Sequence, residues 1–154
     1  MQLNLETDYG IRCMLFLAEA KRCVTSVEMT EKLGFHTVEH TQKILRKLRD
    51  GGLVKVKLGS NGGYMLARDA SEISVLEVLK AMEETICINR CLEPDGYCSR
   101  YATSYCPMHK YYKKVQRMME SVFAAATIQD IVDENFPEVP EIVTPVKVKN
   151  KVDA

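Results

Sequence analysis

Cys91, Cys98, Cys106 and His109 follow one another through a polar segment of the chain, and together they make a set of soft donors. Thiolates are the anionic ligands that iron takes in iron–sulfur clusters, and an imidazole adds a weaker, exchangeable donor. Structural zinc sites favour cysteine pairs roughly two to four residues apart. Only Cys87 and Cys91 come that close here, so iron–sulfur chemistry is the better match, with zinc and bare thiol chemistry as alternatives. Six residues separate Cys91 from Cys98 and seven separate Cys98 from Cys106. Ligands carried on loop backbone can still converge, because no helix register fixes them. Cys87 could be an alternative ligand, a resolving thiol or a small hydrophobe, whereas Cys13 and Cys23 are expected to be structural. A thiol-redox or metal-carrier protein without DNA binding is the contrasting class, and it would normally show a close C-x-x-C pair, which is absent. The sequence also lacks a phosphate loop with its lysine and a nucleophile elbow, so no enzymatic activity is expected.

The elements that must position these donors can be followed along the chain. Ile11, Met14, Leu15 and Ala18 predict a helix over 8–20. Thr25 and Glu28 form a capping box, with Val24 and Met29 as a hydrophobic staple, and so start a second helix that ends near Gly34. A third helix over Val38–Asp50 turns Ile44, Leu45 and Leu48 inward and stops at Gly51-Gly52. Strands at 53–57 and 64–67 flank the turn Gly59-Ser60-Asn61-Gly62-Gly63. Helix, helix–turn–helix and hairpin in this order make a winged helix–turn–helix. Ser74 and Glu77 cap a fourth helix ending near Glu83, and Pro107 opens a long one reaching about Ala126. Tyr111, Val115, Met118 and Val122 step along that helix as an apolar stripe, which predicts a two-helix dimer seam. Thr127 and Asp130 start a short last helix.

The fold class expected is therefore mainly α (α+β), a winged helix–turn–helix with a long C-terminal dimerisation helix. Its divisions are a DNA-binding domain at 1–83, a cysteine-rich loop at 84–106, the dimerisation and terminal helices at 107–136 and a loose tail at 137–154. The chain has 154 residues, zero net charge, 46% hydrophobic and 27% charged residues, as ordinary globular proteins do. No run approaches the roughly 18 apolar residues of a membrane span, and the start lacks a signal-peptide pattern, so a cytoplasmic protein away from membranes is expected. In that compartment six cysteines point to metal or redox chemistry rather than to disulfides.

The neutrality is unevenly spread. Residues 1–68 hold eleven Lys and Arg against seven Asp and Glu, and between 43 and 68 seven cations oppose only Asp50. Such a patch can carry phosphate contacts to a double-stranded DNA operator. Thr37, Glu39, His40, Gln42 and Lys43 stand at the start of the third helix, where base edges are reached; Lys57, Ser60 and Asn61 are the expected contacts of the wing.

The string GGLVKVKLGSNGGYMLAR at 51–68 resembles the wing of the Rrf-two family of bacterial transcriptional regulators, as Gln42–Leu48 resembles its recognition helix. Thr7-Asp8-Tyr9 and Ile73–Val78 are similar to the openings of the family's first and fourth helices, so the likeness covers about residues 1–135. The resemblance implies a homodimeric repressor or activator whose DNA affinity is set by a 2Fe–2S or 4Fe–4S cluster near the dimer interface. That cluster would sense redox state, oxygen, nitric oxide or iron–sulfur status. Cys91, Cys98 and Cys106 fall where cluster-binding members carry their ligands. The fourth ligand would be His109, as in some members, or Asp8 of the partner subunit, as in others. Other members bind no cluster, which leaves open a regulator that senses through its thiols. Two departures bear on base preference: His40 stands for a common tyrosine, and Leu58 for a basic residue at the wing tip.

Overall fold

The computed structural model describes residues 3–138. Their order is α1 (Leu5–Ala20), α2 (Ser26–Leu33), α3 (Val38–Asp50), β1 (Val54–Lys57), β2 (Gly63–Leu66), α4 (Val75–Met82), α5 (Pro107–Ala125) and α6 (Ile128–Val132). Short 3₁₀ turns lie at Ala70–Glu72 and Arg90–Leu92. This is the expected mainly helical winged helix with one two-stranded antiparallel sheet. The tail expected at 137–154 lies, beyond 138, outside the described residues.

Local chemistry accounts for the boundaries. α1 begins three residues earlier than its apolar period indicated, because the Asn4 side chain accepts from the Thr7 N–H at 3.2 Å and caps it. Lys21 closes α1, and Gly34 closes α2, each in the left-handed conformation. The capping boxes of Ser74 with Glu77 and Thr127 with Asp130 are formed, but the one expected at α2 is only half made: the Thr25 hydroxyl accepts from the Glu28 N–H at 3.2 Å, while the Glu28 carboxylate is turned to Arg22. β1 and β2 pair Val54 with Leu66 and Lys57 with Gly63. A further bridge joins Val24 to Tyr64, with backbone hydrogen bonds of 2.8 and 2.9 Å, and ties the wing to the start of α2. Gly63 is required there: it has φ of 144°, and a Cβ on it would stand 2.6 Å from the Val24 carbonyl oxygen.

The core lies among α1, α2, α3, α4 and the wing, with Met14, Met29, Ile44, Leu45, Leu48, Ile73 and Val78 fully buried. α6 returns to this core. Ile128 is buried in it, its N–H reaches the Ile73 carbonyl at 2.8 Å, and the Val75 N–H reaches that of Ala126 at the same distance. The start of α6, the last helix among the described residues, thus closes the N-terminal unit. α5 packs on α4 and on the 3₁₀ turn of the loop, and leaves much of its surface open. No helix among the described residues is long and apolar enough to cross a membrane.

Candidate nucleic-acid interface and cysteine loop

The helix–turn–helix is fixed from within by a threonine pair. Thr41 is fully buried on α3; its hydroxyl lies 2.7 Å from that of Thr30 on α2 and donates to the Thr37 carbonyl at 3.1 Å. Thr37 is the N-cap of α3, its hydroxyl accepting from the His40 N–H at 3.1 Å. Ile44, Leu45 and Leu48 hold the inner face, so Glu39, Gln42, Lys43, Arg46 and Arg49 are turned outward. Gln42 donates to the Ser26 hydroxyl at 3.3 Å, which ties the outer face of α3 to the first turn of α2. In the wing, Lys57, Ser60 and Asn61 are exposed, and Leu58 at the tip has 88% of its surface in solvent.

The first turn of α1 meets this face. Lys43 and Lys47 each place their ammonium 2.7 Å from a different oxygen of Glu6, and His40 Nε2 is 3.9 Å from it. The two lysines hold the Glu6 carboxyl at about 2, well below its ordinary value. Tyr9, three residues on, packs between Phe35, at 4.5 Å, and His40, at 5.5 Å edge to face. Lys43, expected as a DNA contact, is thus already engaged within the chain. The lysine spacing was visible in the sequence, but Glu6 stands 37 residues away from Lys43 along the chain. Only the tertiary packing of α1 on α3 brings them together.

In the loop, His109 lies in the first turn of α5 with 9% exposure, its Nδ1 3.3 Å from the sulfur of Cys91. Cys106, the N-cap residue of α5, has no side-chain cap bond, and its thiol, like those of Cys91 and Cys98, is half-buried. The backbone N–H groups of Ala102 and Arg100 hold the Cys98 thiol below its ordinary value, with the Thr103 hydroxyl and the Arg100 charge adding to the effect. Cys87 lines a small cavity with Leu79, Ile86, Met119 and Phe123 between α4 and α5. Cys13 is buried, with its thiol pushed up to about 12 by desolvation, and Cys23 contacts the Met65 sulfur at 3.6 Å. Cys13 is part of the core, and Cys23 is half-buried outside it.

Asp8 is half-exposed and paired with Arg12 at 2.7 Å, one turn along α1. Among the described residues no three His, Cys, Asp or Glu side chains gather closely enough to hold one metal ion. The structure therefore brings Cys91 and His109 together, and Cys98, Cys106 and Asp8 do not complete a set with them within one chain. One residue that sequence reasoning passed over organises this region. Gln116, buried on α5, accepts from the Ile88 N–H at 2.9 Å and donates to the Ile86 carbonyl at 3.2 Å and to Glu120 at 2.7 Å. It pins the start of the loop to α5. A lone glutamine among apolar and basic neighbours gave no sequence signal for that role.

A winged helix with an outward basic helix, followed by a thiol-bearing loop and a half-open helix, defines the class of a winged-helix regulator. The model of the Rrf2 family, described as an iron-dependent transcriptional regulator, matches residues 3–134, and the chain belongs to that family. It is accordingly a transcriptional regulator and not an enzyme. Among solved structures it is similar to CymR, the global cysteine regulator of B. subtilis, at 16% identity and a TM-score of 0.69, over 87% of this chain and 98% of that one. It is similar as well to T. potens IscR, at 21% identity and a TM-score of 0.67, over 94% of each chain. The oxidized form of Staphylococcus aureus CymR matches at 20% identity and a TM-score of 0.64, over 90% of this chain and 99% of that one. At these identities the likeness is one of fold.

Proposed function

We propose that the protein is a homodimeric, DNA-binding transcriptional regulator whose affinity for its operator is set by an iron–sulfur cluster on Cys91, Cys98 and Cys106. The observation that carries this reading is the contact between Cys91 and His109 at 3.3 Å, where the loop meets the start of α5. It supports His109 over Asp8 as the fourth ligand, since Asp8 is paired with Arg12 on its own helix. The donor set fits an iron–sulfur group in chemistry: three half-buried thiols, one of them held towards its thiolate form, and an imidazole. Cys98 and Cys106 have to close on the Cys91–His109 pair, which loop backbone permits. When bound, the cluster would supply a redox- and ligand-sensitive centre. The chain's own residues would hold it through the loop that Gln116 anchors to α5.

On DNA, α3 enters the major groove and presents Thr37, Glu39, His40, Gln42 and Lys43, while the wing brings Lys57, Ser60 and Asn61 to the adjacent minor groove. The dimer forms through α5, where Tyr111 is 59% and Met118 42% exposed in the single chain and Val115 and Val122 are half-buried. Two α3 helices would then read a pseudo-palindrome with half-sites about one helical turn apart. An anaerobic absorption spectrum with iron and sulfide analysis tests the cluster, since cluster, zinc and bare thiol differ plainly there. Visible absorption with iron and sulfide in the purified protein is expected; a colourless protein containing neither after anaerobic reconstitution overturns the cluster.

A second reading is a cluster-free regulator that senses oxidation through its thiols. The lowered Cys98 thiol favours it. Loss of DNA binding on mild oxidation of a metal-free protein, reversed by a thiol reductant, is the result this reading expects.

A further inference from the structure

The cations of α3 and the first turn of α1 form a contact that DNA reading does not explain. Lys43 and Lys47 stand one turn apart on the outer side of α3, and both end on Glu6, one on each carboxylate oxygen. A carboxylate and a DNA phosphate present the same kind of anionic oxygen to an ammonium group, so the two compete for these lysines.

The carboxylate cannot follow the lysines outward. Its turn of α1 is capped by Asn4, and the cap is itself tied to the end of α4. The Asn4 N–H donates to Glu83 at 2.9 Å and the Thr7 hydroxyl donates to the same oxygen at 2.5 Å. Glu83 is the C-cap of α4, four residues before Cys87. Lysine side chains, in contrast, swing on four-carbon stems. A transfer of contacts therefore moves the lysines and leaves Glu6 in place. Glu6 also stays ionised throughout the range in which DNA binding is measured, because its carboxyl is held at about 2.

Resting on the DNA-binding reading above, we propose that Glu6 attenuates DNA affinity by occupying Lys43 and Lys47 as an internal substitute for phosphate. On non-specific duplex the lysines stay on Glu6, and the complex forms without their two phosphate contacts. On the operator, base contacts from α3 bring the backbone close enough to draw both lysines onto it. Glu6 thereby lowers affinity for both duplexes: non-specific complexes lack two phosphate contacts, and the operator complex keeps those contacts but loses the pairing of the lysines with Glu6.

The test measures salt-dependent binding of the full chain to a selected operator and to a scrambled duplex, for wild type and Glu6→Gln. Each phosphate neutralised adds about 0.9 to the slope of log affinity against log salt. Glu6→Gln is expected to steepen the scrambled-duplex slope by about 1.8 and to raise that affinity on the order of tenfold, and to raise operator affinity at least as much with the operator slope unchanged. In the Lys43→Gln/Lys47→Gln background the gain should vanish. An unchanged scrambled-duplex slope in Glu6→Gln, or the same gain without the two lysines, overturns the proposal while leaving DNA binding intact. If Glu6→Gln lowers thermal stability and affinity together with no change in slope, Glu6 is structural only and the proposal also falls. Failure of wild type and variant alike to bind any DNA from a random-sequence selection defeats the DNA-binding reading and the proposal with it.

Discussion

Helix α3 and the cysteine loop carry the side chains proposed for DNA and for a cluster, and the protein holds the two by different means. α3 is fixed before any ligand arrives: its N-cap hydroxyl accepts from His40, the buried Thr41–Thr30 contact locks it to α2, and three fully buried aliphatic residues set its rotation. The loop is held mostly by short-range contacts within itself, such as the Arg90–Asp95 pair and the Thr103–Gly96 hydrogen bond, with Gln116 and the Cys91–His109 contact tying it to α5, and its remaining thiols stand apart. Pre-organisation lowers the ordering cost of binding, which suits a rigid helix entering a groove. On the proposed reading, Cys98 and Cys106 have to close on the Cys91–His109 pair, so the ligand would set the loop's final conformation. The helix–turn–helix and the cysteine loop are then joined through α4, whose C-cap Glu83 holds the N-cap of α1.

The largest expected effect would separate the two regions outright. Cys91→Ser, Cys98→Ser and Cys106→Ser should each abolish the visible chromophore, since each removes a strong anionic donor, while the thermal unfolding of the metal-free protein stays unchanged. Cys13→Ser should leave the chromophore intact. Leu45→Ala should do the reverse of the loop changes, destabilising the fold by about 2–5 kcal/mol through a core cavity. A full-strength chromophore in Cys98→Ser would break the three-cysteine assignment. His109→Ala and Asp8→Ala, compared side by side, sharpen it. His109→Ala is expected to weaken the assembled cluster and its control of DNA binding, and Asp8→Ala to leave both as they are; the opposite pattern would move the fourth ligand to α1.

Next in size is assembly. Met118→Glu would bury a charge in each copy of the α5 seam, at a cost of several kcal/mol when unpaired. The variant should sediment as a monomer or aggregate. A normal dimer would show that the half-exposed stripe serves something other than self-association.

The winged helix–turn–helix was legible in the sequence and the packing of the cysteine loop was not, for a physical reason. Caps, glycine stops and apolar periodicity are local, so Thr25–Glu28, Ser74–Glu77 and Thr127–Asp130 marked their helices correctly, and α3 falls at Val38–Asp50 as its pattern required. The start of α1 was missed because Asn4 caps it ahead of the apolar residues. Contacts between distant segments left no local trace. Neither the Glu6 pairing with Lys43 and Lys47 nor the grip of Gln116 on Ile86 and Ile88 follows from any spacing. His109, which could have been an exposed histidine on a surface helix, is buried against Cys91.

Acid gives a smaller effect that belongs to the N-terminal unit and the helix that closes it. The carboxyl of Glu6 is lowered from 4.5 to about 2 by Lys43 and Lys47, that of Glu77 by the Ser74 backbone and Arg68, and that of Asp130 by Thr127. A group whose folded value is depressed binds its proton more readily when unfolded, so its stabilising contribution is complete above the unfolded value and is lost as pH falls through the folded one. Stability from these groups should be level above about pH 5 and decline below it, continuing towards about 2 for Glu6. Unfolding followed by circular dichroism should show Glu6→Gln with a shallower decline between pH 4.5 and 2 than wild type. Identical acid profiles would mean that solvent screens the α1–α3 contact to insignificance.

The smallest expected difference lies within the wing. Lys57 and Leu58 are neighbours at its exposed end, but only one is charged. If the wing reaches the backbone beside the minor groove, Lys57→Ala should weaken binding to all sequences alike and reduce the salt slope by about 0.9, the share of a single phosphate. Leu58→Ala has no counterion to give up, so its slope should match wild type whatever happens to its affinity. Any loss it shows should depend on the bases beneath the wing tip, because an apolar side chain in the minor groove is sensitive to groove shape and step deformability. Equal slopes for wild type and Lys57→Ala would place the wing off the DNA, leaving α3 as the sole reading element and narrowing the pre-organised half of the comparison to one helix.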